Sequence, residues 1–316
     1  MASRTAVTPS IHLMKPSGLT NLQSILAGSA ILFPKFPYPL FYWSTLVTMI
    51  LTITLSPFAA QLDRSYLTSQ WNPQLLELLS GASRSIFLDP AIFQLISVGF
   101  LVWLAYMTAR NVPFDKLKAI FISLSPVILL SISYLFVELI LKPGFSYTRP
   151  SGFDFSNEPP IMSFAHFLFS FEGSTPSGAV VRQMVLMMTA VLYIDHPSSP
   201  IQNPKTRWLV KAVSILLVLV VALARVAVNA HTIFDVVFAI ASGSIVFWVL
   251  YVIPYSVFRK NGAPRAVANM YLVYMGLMIF YSKEPFILFV SSFLIILVLL
   301  SLDRVSEALG FTISEN

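Results

Sequence analysis

The chain has 316 residues, of which 56% are hydrophobic and only 11% charged. A soluble domain carries about a quarter charged residues, so water is excluded as the main solvent. The absence of cysteine excludes a disulfide framework and a thiolate zinc site, and the net charge of +6 is assigned to membrane-flanking loops rather than to nucleic-acid binding.

Taken in chain order, the first apolar run is LQSILAGSAILF at 22–33. It is too short to span a bilayer, and Pro34, Pro37 and Pro39 break any helix after it. It reads as an interfacial helix lying on the membrane. A spanning helix needs about 20 mostly apolar residues. Six stretches meet that need, near 39–62, 91–110, 117–141, 176–195, 208–230 and 231–253. Two more, near 267–282 and 285–302, are shorter but nearly free of charge. The expected fold is all-α, a polytopic membrane bundle of eight helices in one domain. Its expected parts are an N-terminal segment at 1–38, a six-helix core at 39–253 and two added helices with a tail at 254–316.

Lysine and arginine mark loops that stay cytoplasmic. With eight helices, one side collects Arg4, Lys15, Lys35, Arg110, Lys116, Lys118, Lys205, Arg207, Lys211, Arg259, Lys260, Arg265 and Arg304. The other side has Arg64, Arg84 and Lys283, with Lys142, Arg149 and Arg225 set apart as functional. Both termini are therefore expected in the cytoplasm. The loop 143–175 then faces outward. It contains Asp154, Glu158 and Glu172 with Pro143, Pro150, Pro159 and Pro160, and reads as a rigid polar cap.

Charge at membrane depth is costly and usually functional. Lys142 ends the third helix and Arg149-Pro150 follows it; Thr175-Pro176-Ser177-Gly178 opens the fourth; Arg225 lies near the end of the fifth; His231 opens the sixth, with Asp235 four residues later. Each suits a phosphate ligand. Lys142, Arg149 and Arg225 supply positive charge, and an arginine grips two phosphate oxygens at once. Thr175 is expected as an N-cap with Pro176 at the first helical position, leaving the amides of Ser177 and Gly178 for an anion. His231 and Asp235 follow base-plus-orienter logic: the carboxylate takes one ring N–H and the other nitrogen attacks. Singly, most of these residues have plainer readings, such as a snorkelling lysine, an ordinary helix cap or a polar tether. Their convergence on one membrane face is what the plain readings fail to explain.

Lys142-PGFSYT-Arg149-Pro150 resembles the first signature of the type 2 phosphatidic acid phosphatase family, a lysine six residues before Arg-Pro. Pro176-Ser177-Gly178 resembles the second, Pro-Ser-Gly-His. Arg225-VAVNA-His231-TIF-Asp235 resembles the third. The resemblance covers roughly 117–253 and implies a phosphatase core. It implies that His231 attacks phosphorus to form a phosphohistidine, that Asp235 supports it, and that Lys142, Arg149, Arg225, Ser177 and Gly178 hold the phosphate oxygens. It implies no cofactor and no metal. In the family, the second-signature histidine protonates the leaving group.

Here that position is Ala179, and Ala224 stands where serine is common. Alanine donates no proton, so turnover is expected to be weak or absent while phosphate binding persists. Ala179 is either a substitution introduced into an active enzyme or a natural departure, and the otherwise intact site favours the former. His166 is a weaker candidate for a replacement acid. The expected partners are membrane lipids and a lipid phosphate or lipid diphosphate substrate. Two other outcomes remain open: phosphate transfer to an acceptor hydroxyl, and non-catalytic lipid-phosphate binding or transport.

Overall fold

The computed structural model describes residues 36–59, 90–110, 120, 123–145, 175–227, 230–258, 263–280, 282 and 284–308. The expected interfacial helix at 22–33, and Arg149 and His166 in the outward loop, lie outside the described residues.

Eight helices account for nearly all of the described chain: α1 (Tyr38–Ala59), α2 (Pro90–Arg110), α3 (Ser125–Phe145), α4 (Gly178–Asp195), α5 (Pro204–Ala227), α6 (Ile233–Phe258), α7 (Ala263–Ile279) and α8 (Pro285–Ala308). Among the described residues, six helices are long and apolar enough to cross a membrane. They are α2, α3, α4, α5, α6 and α8. The chain is a multi-pass helical membrane bundle. The ranking of the spans differs from the sequence expectation. α8 qualifies outright, because its low charge runs unbroken from Pro285 to Leu302. α1 contributes a shorter apolar helix over Tyr38–Thr54.

Apolar side chains gain little by leaving lipid for one another, so helices in a membrane are held by close packing and polar pins. Both are present. α4 and α6 form the centre, with 72% and 83% of their apolar windows buried against 22% for α8. Gly243 sits where they cross. A Cβ there would lie 2.6 Å from Met184 Cβ and 3.1 Å from the Val181 carbonyl, so any larger residue would push the two helices apart. Trp248 Nε1 donates to Ser44 Oγ at 2.8 Å, tying α6 to α1. Ser125 and Tyr193 share a 2.8 Å hydrogen bond between α3 and α4, and Ser242 and Tyr274 share one of 2.6 Å between α6 and α7.

The last two helices are built into this core. Tyr271, Tyr274, Leu288 and Leu299 bury against the same cluster as Val236 and Phe238 of α6. α8 also seats on the end of α3. A Cβ on Gly144 would come 2.3 Å from Leu288 Cγ, and the Glu284 amide donates to the Gly144 carbonyl at 3.1 Å. This contact lies two residues beyond Lys142, so α8 braces the turn that carries that lysine. The lipid-facing sides of the outer helices are apolar, as Trp208, Leu216, Phe289 and Leu294 illustrate.

Candidate functional site

The site forms at the end of the bundle where α3 and α5 finish and α4 and α6 begin. Each helix N-terminus leaves backbone N–H groups without an intrahelical partner, and local sequence decides what satisfies them. At α6, Thr232 and Asp235 form a reciprocal cap. The Asp235 amide donates to Thr232 Oγ1 at 3.1 Å, and the Thr232 amide donates to Asp235 Oδ2 at 2.9 Å. That cap fixes the carboxylate, which is fully buried. His231 immediately precedes it. Its Nδ1 lies 3.9 Å from Asp235 Oδ2, within ion-pair range and longer than a hydrogen bond. The amides of Ala230 and His231 both donate to the Arg225 carbonyl, at 3.1 and 3.2 Å. The turn between α5 and α6 therefore holds the arginine and the histidine together, and both are buried.

The start of α4 departs from the expected cap. Thr175 is not the N-cap and Pro176 is not helical; the helix begins at Gly178, with Ser177 as its cap residue in extended conformation. The Thr175 hydroxyl instead donates to Asp235 Oδ1 in a short hydrogen bond. The reason is competition. A buried carboxylate is a stronger acceptor target for a hydroxyl than a local backbone amide is for its oxygen. The amide of Ser177 is also occupied, donating to the Asp235 carbonyl at 3.2 Å. The helix-end donors at the site are accordingly those of Gly178 and Ala179, one residue later than expected. Ser177 brings its Oγ, which is buried and makes no hydrogen bond among the described residues.

α3 reaches the site through a π-helical turn at Val137–Leu141, ending at Lys142. Such single turns are rare inside helices and recur at functional sites. Lys142 Nζ lies 2.8 Å from Glu138 Oε2, and both side chains are almost completely buried. Glu138 Oε1 lies 3.8 Å from Arg182 Nη1 of α4. The Arg182 guanidinium sits 4.6 Å from the Tyr134 ring centroid, and its Nε donates to Gln94 Oε1 at 3.4 Å. Gln94 Nε2 in turn donates to the Ala179 carbonyl at 3.0 Å. A Cβ on Gly178 would stand 3.1 Å from both Arg182 Nη1 and Glu138 Oε1. Glycine at 178 thus lets a buried charge network pass directly beneath the helix start.

The structure therefore brings together Lys142, Ser177, Gly178, Ala179, Arg225, His231 and Asp235, while Arg149 lies outside the described residues. It adds Glu138, Arg182 and Gln94, which sequence reading passed over. One signal was available. Glu138 and Arg182 are charges inside apolar spans, at i−4 from Lys142 and i+4 from Gly178. Arg182 also belongs to neither side of the loop-by-loop charge tally. Among the described residues, no group of three or more His, Asp or Glu side chains is placed to hold a metal ion.

Buried cations around a helix N-terminus, with a histidine beside a carboxylate, form an arrangement that suits an anion at one end of a multi-pass membrane bundle. Residues 123–259 match the model of the PAP2 superfamily, and this stretch contains all three signatures. Over these residues the chain is similar to that superfamily, whose members generally hydrolyse phosphoric esters. No curated protein and no solved structure matches the chain.

Proposed function

We propose that the chain is a lipid phosphate phosphatase that works through a phosphohistidine on His231. The observation that carries this reading is convergence. Four separate helix ends deliver Lys142, the Gly178 and Ala179 amides, Arg225, and His231 with Asp235 to one buried location. Charge buried at membrane depth is costly even when paired, and is usually functional.

In this reading, the phosphate oxygens sit on the α4 N-terminus between Lys142 and Arg225, and the family resemblance assigns Arg149 to them as well. His231 Nε2 attacks phosphorus in line with the leaving oxygen. Asp235 holds the ring by its Nδ1 side and stabilises the positive charge that develops on it, closing from 3.9 Å to hydrogen-bond length as the phosphate binds. The cations and amides stabilise the equatorial oxygens of the transition state. Water then releases the phosphate from the ring. The site lies opposite the bundle end that carries Arg110, Lys205, Arg207 and Lys211, so the positive-inside rule puts the reaction on the extracytoplasmic face.

The test is phosphate release across a panel of lipid phosphates, using the chain as it stands and its Ala179→His form. Ala179→His is expected to raise turnover of a lipid monophosphate by about 10²–10⁴, the usual contribution of a general acid. A folded Ala179→His protein that binds phosphate and cleaves nothing would instead indicate a non-catalytic lipid-phosphate binder. A phosphorylated acceptor appearing in place of free phosphate would indicate transfer.

A further inference from the structure

We infer that Ala179 and Arg182 together make this site selective for lipid diphosphates, with Arg182 stabilising the departing phosphate that needs no proton. The inference rests on the phosphatase reading above and names its substrate class.

Three observations carry it. First, position 179 holds a side chain that donates no proton, yet the helix around it is fully formed and its carbonyl is pinned by Gln94 at 3.0 Å. Nothing in the local structure is eroded around the missing acid. Second, Arg182 lies three residues further along the same helix, so it shares a face with Ala179. Its side chain is 5% exposed and reaches back beneath Gly178, with Nη1 at 3.1 Å from the position of the absent Cβ. Third, Nη1 makes no hydrogen bond among the described residues, because Glu138 stands at 3.8 Å, beyond hydrogen-bond length. A buried N–H group of a permanent cation thus lies beside the start of the helix, with Glu138 Oε1 equally near at 3.1 Å.

The chemistry of the leaving group decides what such a site favours. A lipid alkoxide is about as basic as hydroxide and leaves poorly without an acid. A lipid monophosphate leaving group has a second pKa near ~6 and leaves as an anion at neutral pH. For the diphosphate, His231 Nε2 bonds to the terminal phosphorus. The bond from that phosphorus to the bridging oxygen breaks, and the oxygen departs with the electron pair on the lipid monophosphate. Arg182 meets that charge. Water then attacks the phosphorylated ring, its hydroxyl joining phosphorus and its spare proton going to solvent, so the imidazole is restored. No proton donor at 179 is required at either step.

The experiment compares a polyprenyl diphosphate with the monophosphate of the same tail, on the full chain in detergent micelles. The chain as it stands should cleave the diphosphate about 100-fold or more faster than the monophosphate. Ala179→His should raise monophosphate turnover by about 10²–10⁴ and diphosphate turnover by less than about tenfold. Arg182→Gln should lower diphosphate kcat by about 10²-fold, the usual loss for one donor to a developing charge. Arg182→Lys keeps the charge beside Glu138 and loses the planar fork. It should lower kcat about tenfold with little change in KM, and it decides the matter where Arg182→Gln does not fold. Equal rates on both lipids, or diphosphate turnover indifferent to a folded Arg182 variant, would overturn the inference. If the chain cleaves neither lipid while Ala179→His cleaves the monophosphate, the phosphatase reading stands and the diphosphate inference falls. If Ala179→His cleaves neither, both fall.

Discussion

Two lysine–carboxylate pairs at opposite ends of the bundle look alike on paper and differ in physical meaning. At one end Lys211 Nζ meets both oxygens of Asp195, at 2.6 and 2.7 Å, with the side chains 31% and 50% exposed. At the other, Lys142 meets Glu138 at 2.8 Å with both side chains below 5% exposed. The first pair is screened and half-solvated, and such pairs contribute about 0–1 kcal/mol. The second has been taken out of high dielectric, and breaking one member of such a pair costs about 3–5 kcal/mol. The shorter contact is therefore the one whose loss costs less. Burial, rather than distance, sets the two pairs apart.

That comparison can be broken or sharpened by substitution, beginning with the largest effect. In an active Ala179→His background, His231→Ala is expected to reduce lipid phosphate turnover by a factor on the order of 10³–10⁶, read as phosphate release. Ala179→His itself is expected to raise monophosphate turnover by about 10²–10⁴ in the same assay. Glu138→Gln should lower thermal stability by several kcal/mol, because Lys142 and Arg182 lose a buried counter-charge. Added inorganic phosphate should recover part of that loss, since an anion in the cradle replaces the missing charge. A Glu138→Gln protein equally destabilised with and without phosphate would show that the network has no link to the site. Lys211→Met should change stability by less than about 1 kcal/mol, measured by the same melt. A loss at Lys211 matching that at Glu138 would break the comparison outright.

Much of this was legible in the sequence, and the limits follow from physics. Helix number could be read because spanning segments must be apolar along their whole length, and that property is local. The signatures placed Lys142, Arg225, His231 and Asp235 because helix periodicity and helix ends convert spacing into position. Glu138 and Arg182 escaped because each lies inside a span read for its hydropathy, and their pairing joins helices 44 residues apart in sequence. The cap at α4 was misplaced for a related reason. The Thr175 hydroxyl chose Asp235, 60 residues away, over its own backbone. Local rules rank local partners, and a buried carboxylate from another helix outranks them.

The role of His231 as the nucleophile is tested most directly by trapping the intermediate. The protein would be mixed with a lipid diphosphate carrying ³²P on its terminal phosphorus, quenched in alkali, and assayed for label on the chain. The account predicts an alkali-stable, acid-labile label that maps to His231 and vanishes in His231→Ala. Phosphate released without any labelled chain, or a label that persists in His231→Ala, would contradict it.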